Sequence, residues 1–296
     1  MKKARLRARR VITIYDPMLC EGMQGAVTEM TGMGRGAMAL AACALLLAAC
    51  GGPKDVAPQG ATLPSEAEEA GYLTPPSVTT VKLGAGGVLI ITGRAQPGAM
   101  VRLLPSPAGE ALTIQADPTG AWRLVIPMTG GVRLFSVSAD AGGRAVQAQG
   151  YLLLTPDGQA AELRSGAGSR VVASASDTPR ILSIDYDRDG AAVVSGVAKP
   201  GAGLAVRIDR APGGDVKAGA DGRFTFPLSA PLHPGSHLID VAGEGGIDAV
   251  SASTGSPTGG GGYSGAQSSQ GWRIDWTTPG GGAQSTLLLA RRGAGG

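Results

Sequence analysis

Three aspartates at alternate positions followed by glycine, Asp185-Tyr186-Asp187-Arg188-Asp189-Gly190, have the spacing that opens a calcium-binding loop. In the helix-flanked form of that loop, carboxylates at positions 1, 3 and 5 are completed by a bidentate glutamate at position 12. With Asp185 as position 1, position 12 is Gly196, and the flanks "RILSIDY" and "AAVVSGV" read as strands. The run is therefore expected to be a hairpin tip, with Asp189-Gly190 forming a tight primed turn, and no metal site is assigned.

Other reactive side chains fail on spacing. His233 and His237 are four apart, but the intervening "PGS" makes "HPGSH" a turn entering a strand. It cannot set both rings on one helical face, and zinc would need carboxylates from elsewhere. Ser264 in "GYSGA" lacks the spacing of a nucleophile elbow, and no glycine run has the form of a phosphate-binding loop. No catalytic, metal or cofactor residue is assigned, no cofactor is called for, and the chain is expected not to be an enzyme. "GWRIDWTTPGG" offers the one candidate contact with a ligand or partner. Trp272, Ile274 and Trp276 share one face of a strand, with Arg273 and Asp275 opposite. The two indoles either stack on a sugar or anchor a partner, or cover the core of the second module; the size and scarcity of Trp favour the core.

The elements that would carry these residues are short strands. The 296 residues suffice for two modest domains, and 49 Gly with 20 Pro imply many turns. "VLIITGRAQPGAMVRL" (Val88–Leu103) aligns with "AAVVSGVAKPGAGLAV" (Ala191–Val206) at a constant offset of 103, matching Gly93 with Gly196 and Pro97-Gly98 with Pro200-Gly201. Further on, Gly120 matches Gly222, Trp122 matches Phe224, and "VRLFSVSA" matches "SHLIDVAG". Alternation at Trp122/Leu124/Ile126 and the Pro-Gly turns predict antiparallel sandwiches. A weaker echo follows each copy: "TPDGQAAELRSGAG" (Thr155–Gly168) and "TPGGGAQSTLLLARRGAG" (Thr278–Gly295) each read as a hairpin appended to its module. Ser253–Gly271, "STGSPTGGGGYSGAQSSQG", reads as a flexible loop by composition.

Charge and cysteine placement bear on localisation. Arg35 precedes the uncharged apolar run Ala37–Ala49, which ends in Leu47-Ala48-Ala49-Cys50-Gly51. That run is shorter than the roughly 20 residues a bilayer span needs and fits the apolar region of a secretory signal. Seven of the 26 Lys/Arg and three of the 23 Asp/Glu lie in residues 1–49, so the rest of the chain is nearly neutral. Nucleic-acid binding has no electrostatic basis. Removal of 1–49 leaves Cys50 alone of the three cysteines, so no disulfide is expected. Residues 1–29 read as an over-extended start, with Met30 or Met33 as the initiator.

Two resemblances rest on these residues. Leu47-Ala48-Ala49-Cys50 resembles the lipobox of bacterial lipoproteins, which implies cleavage before Cys50 and acylation of its thiol. The repeated G-x-A-x-P-G-A pattern, the D-x-x-G before an aromatic strand and the L-x-V strand resemble the bacterial Ig-like modules of envelope and adhesin-type proteins. That resemblance implies a β-sandwich serving as spacer or binding platform and brings no catalytic residue. The expected organisation is a lipoprotein signal (1–49), a tether (50–75), an Ig-like module with its hairpin (76–178), a second module (179–253), and a Gly/Ser loop with a C-terminal hairpin (254–296). The expected role is a lipid-anchored scaffold of the cell envelope. Its expected place is the outer membrane facing the periplasm rather than the inner membrane, by resemblance to lipoprotein sorting and with Gly51 following the cysteine. Its partners would be the membrane through Cys50 and another envelope protein or cell-wall polymer. A carbohydrate- or peptidoglycan-binding accessory role through Trp272 and Trp276 is the alternative, and an envelope enzyme a further one.

Overall fold

The computed structural model describes residues 73–128, 130–258 and 260–290. The signal, Cys50 and most of the tether lie outside the described residues. Among those described, every regular element is a strand except one 3-10 turn, Ala85–Gly87.

In the first module, β1 (Ser77–Leu83), β2 (Val88–Arg94) and β5 (Ala121–Pro127) form a three-stranded antiparallel sheet in the order β1-β2-β5. It faces a sheet of β3 (Met100–Ser106), β4 (Leu112–Gln115), β6 (Arg133–Ala141) and β7 (Arg144–Leu154), ordered β4-β3-β6-β7. The second module repeats the plan. Here β10 (Arg180–Asp187), β11 (Ala192–Val197) and β14 (Arg223–Pro227) face β12 (Gly203–Ile208), β13 (Ala211–Lys217), β15 (Gly235–Gly243) and β16 (Gly246–Thr254). Three strands on four in this order is an Ig-like, fibronectin-III-type sandwich, so the fold is all-β with two tandem modules. Each has its own core. One centres on Leu89, Ile91, Leu103, Trp122 and Phe135, the other on Ile184, Leu204, Phe224, Ile239 and Val241.

The repeat has a structural cause. Gly93 pairs across the sheet with Trp122, and Gly196 with Phe224. A Cβ on Gly93 would lie 2.1 Å from the Trp122 ring and 2.2 Å from the Ser77 carbonyl; on Gly196 it would lie 2.5 Å from the Phe224 ring and 2.1 Å from the Arg180 carbonyl. In each module the aromatic ring therefore occupies the space of the missing side chain. Both first strands carry a register shift at the matching place, Val78/Thr80 and Ile181/Ser183.

Two local expectations are corrected. The β10–β11 turn closes from the Asp187 amide to the Ala191 carbonyl, and of Asp189 and Gly190 only Gly190 has positive φ. The loop thus has three residues, and Asp189 lacks the positive φ that either primed two-residue turn requires at its first position. Such a turn does occur at Asp209-Arg210 (φ 51° and 71°), joining β12 to β13. The span read as a flexible loop, Ser253–Gly271, contains a strand, β17 (Tyr263–Ser268), paired with β18 (Gly271–Thr277). Glycine and serine are weak strand formers on their own, but here the backbone amides meet a partner edge, which composition does not record.

Candidate functional site

The appended segments build the most distinctive feature of the molecule. After β7, β8 (Ala160–Leu163) and β9 (Arg170–Val171) extend the larger sheet of the first module. After β16, the chain returns through β17, β18 and β19 (Ala283–Leu289), and β19 pairs with β10 to give the order β10-β19-β18-β17. The outer faces of these two extended sheets meet, enclosing a third core. Leu134, Leu153 and Leu163 come to it from the first module; Trp272, Ile274, Trp276 and Leu288 come from the second. The strands at this seam are buried on both sides. Leu152 and Leu154 face the first sandwich core while Leu153 faces the seam; Leu287 and Leu289 face the second core while Leu288 faces the seam.

Both candidate contact residues lie in this seam. Trp276 is 1% exposed and Trp272 8%. The Trp276 ring meets Tyr151 edge to face at 6.0 Å, a favoured aromatic geometry, and its indole N–H donates to Thr286 Oγ1. The Trp272 indole N–H donates to Asp157 in the β7–β8 turn. Neither indole presents a face to solvent for stacking on a ligand. The reading that they cover the core of the second module is also corrected: they pack where the two modules join. On the opposite face of β18, Arg273 Nε donates to Asp275, which also accepts from Thr258 and Ser285. Burial opposes the Asp275 charge, but the hydroxyls of Ser285 and Thr258 and the guanidinium of Arg273 outweigh it and hold this carboxyl below its usual range.

The aspartate run is divided between two tasks. Asp185 is 2% exposed and faces the segment joining the modules, accepting from the Ser169 amide at 2.7 Å, from the Ser169 hydroxyl and from Thr286 Oγ1 at 2.6 Å. Its carboxyl is pushed upward by burial, against those hydrogen bonds. Trp276, Thr286, Asp185 and Ser169 thus form one buried chain of hydrogen bonds across the seam. Asp187 instead caps its own turn, accepting from the amides of Asp189 and Ala191. Among the described residues, no group of three or more His, Cys, Asp or Glu is placed to hold a metal ion. Ser264 sits on the exposed edge strand β17.

The two histidines are brought together, but through one backbone carbonyl. His237 Nδ1 lies 2.7 Å from Asp209 Oδ2, and Nε2 lies 2.7 Å from the His233 carbonyl. Both partners are acceptors, an arrangement that favours the doubly protonated ring. Asp209 also accepts from the Leu238 amide, and these contacts hold it at positive φ in its turn. Partial burial works against the imidazolium, but Asp209 and the His233 carbonyl outweigh it, raising the pKa above the ordinary 6.5. Because the folded value is raised, this contribution to stability is complete below about 6.5 and fades as pH climbs through the folded value. NMR titration of His237 is expected to give a pKa above 6.5, and Asp209→Asn is expected to lower it.

Similarity to known proteins is distant. No family model and no curated protein matches the chain. The central fibronectin-III array of RIM-binding protein aligns over 76% of this chain and 88% of its own, at 12% identity and a TM-score of 0.24. A structure described for host cell surface retention of a 1.5-MDa bacterial ice-binding adhesin aligns over 73% and 88%, at 12% identity and a TM-score of 0.21. The module class rests on the strand order itself.

Sequence reasoning missed the seam, although a signal for it was present. Tyr151-Leu152-Leu153-Leu154 and Leu287-Leu288-Leu289 are continuous apolar runs, which mark strands covered on both faces, whereas a sandwich strand with one wet face alternates.

Proposed function

We propose that the chain is a lipid-anchored protein of the cell envelope whose two Ig-like modules form a single structural or protein-interaction scaffold. The observation that carries this reading is the third core. Tandem sandwiches joined by a free linker move independently, whereas here the packing of Trp276 on Tyr151 and the buried hydrogen bonds from Ser169 to Asp185 tie one module to the other. A joint of this kind suits a part that holds a fixed distance or presents two surfaces at a fixed angle. Attachment through Cys50, with the modules at the outer membrane facing the periplasm, is the second element of the proposal and is supported by the signal-like run and the residues around that cysteine.

In Gram-negative cells producing the full chain, metabolic labelling with a palmitate analogue is expected to mark the protein, which should fractionate with the outer membrane. Cys50→Ala should abolish the label. Unlabelled, uncleaved wild-type chain in the cytoplasm would overturn the anchoring. Photocrosslinking from the exposed faces of both modules in intact cells should capture the same neighbouring envelope protein; capture of none would count against the scaffold role.

A further inference from the structure

The segment joining the modules crosses the outer face of β10, β11 and β14, and a polar cavity of about 200 Å³ lies beneath it. Arg164, Arg170 and Arg223 line this cavity, together with Asp221 and Ser195. Arg223 donates to the carbonyls of Val171 (2.6 Å) and Ala173 (2.7 Å), fastening the crossing segment in place. Arg164 donates through Nε to the Gly168 carbonyl at 3.0 Å and through Nη2 to the Ala167 carbonyl at 3.4 Å. Asp221 lies 3.5 Å from Arg223 and 3.8 Å from Arg170.

The cavity has more donors than acceptors. Each guanidinium carries five N–H groups, and the carboxylate that reaches two of the three is half-exposed and at the long end of ion-pair distance. Among the described residues the Arg170 guanidinium, on a side chain 44% exposed, makes only that 3.8 Å contact. Burial, then repulsion from Arg170 with a smaller share from Arg164, pushes the Arg223 guanidinium below its ordinary value, while Asp221 and Glu162 pull the other way. Independently, Ser195 is 5% exposed, and its hydroxyl has no hydrogen-bond partner. A buried hydroxyl left without a partner is costly. Three guanidinium groups against the one lining carboxylate, Asp221, with spare donors and an orphaned hydroxyl in the same recess, describe a site lacking an acceptor.

We propose that this cavity binds a small oxyanion, a carboxylate or a phosphate or sulfate group, with Arg170 presenting the forked donors, Arg164 adding charge and its remaining N–H groups, and Ser195 Oγ supplying a further hydrogen bond. Arg guanidinium groups bind both kinds of anion in two-pronged fashion, so the chemistry shared by the two is what the site recognises. Arg223 acts as the wall that keeps the crossing segment in position. Because the recess lies between the first module's extension and the sheet of the second, an occupant would bridge both.

The test uses the full chain purified in detergent, with sodium phosphate, sulfate, acetate and chloride compared at matched ionic strength and constant pH. At least one oxyanion is expected to raise the melting temperature saturably, with heat on titration, while chloride does not. Arg170→Gln is expected to weaken that binding about tenfold or more, the scale of a lost charge-assisted hydrogen bond. Ser195→Ala is expected to weaken it several-fold while leaving the far-UV spectrum unchanged, and Arg102→Gln on β3 should leave binding intact. The anion that responds identifies the group. If no oxyanion exceeds chloride, or if Arg170→Gln and Ser195→Ala both bind as the wild type does, the site does not exist.

Discussion

Trp276→Ala is expected to be the most damaging single truncation at the seam, lowering stability by about 3–5 kcal/mol. Trp276 is among the largest side chains enclosed in the molecule, at 1% exposure. Alanine removes the ring that abuts Tyr151 and takes away the donor to Thr286, which itself donates to Asp185. The loss therefore combines a cavity, an aromatic pair and one link of a buried hydrogen-bond chain. The consequence reaches beyond a lower midpoint. With the third core opened, each sandwich still has its own core, so denaturant unfolding followed by two probes should separate into two transitions where the wild type shows one. Trp272→Ala should behave similarly but less severely. If Trp276→Ala unfolds at the wild-type midpoint, the seam contributes nothing and the indole is free for another task.

Gly196→Ala should also destabilise, by about 1–3 kcal/mol or somewhat more, despite adding one methyl group to a strand. Its backbone is extended, so conformational freedom is not at issue; the obstacle is occupied space. The new Cβ would lie 2.1 Å from the Arg180 carbonyl, part of the pairing between β10 and β11, and 2.5 Å from the Phe224 ring. A flexible tip could swing aside, but backbone in a ladder cannot without breaking it. Phe224→Leu combined with Gly196→Ala should recover part of the loss, because the ring is one obstacle and the carbonyl the other. Gly93→Ala should repeat the pattern against Trp122 and Ser77. Equal stability of Gly196→Ala and wild type by urea titration would show that the ring and strand shift freely.

Much of the fold was legible in the chain because local rules govern it. Alternation at Trp122, Leu124 and Ile126, the Pro-Gly turns and the offset of 103 all follow from short-range sterics and one-sided burial, and each has its counterpart in the two sandwiches. The paired glycines were visible as matched letters, but their reason, a ring lying across the neighbouring strand, appears only with the register. The run from Asp185 to Gly190 shows the limit from the other side. Its turn could be read locally, yet Asp185 serves a serine 16 positions earlier and a threonine 101 positions later, and no spacing rule spans those distances.

By itself the sequence determined a duplicated β architecture and which faces of most strands are apolar, because period, turn chemistry and repetition are properties of neighbouring residues. It also determined that Trp272 and Trp276 share a face. What covers that face was decided only in three dimensions. An apolar stripe specifies that water must be excluded, and many surfaces can exclude it. Here the first module's extended sheet does so, because the returning C-terminal strands pair with β10 and bring both indoles against it.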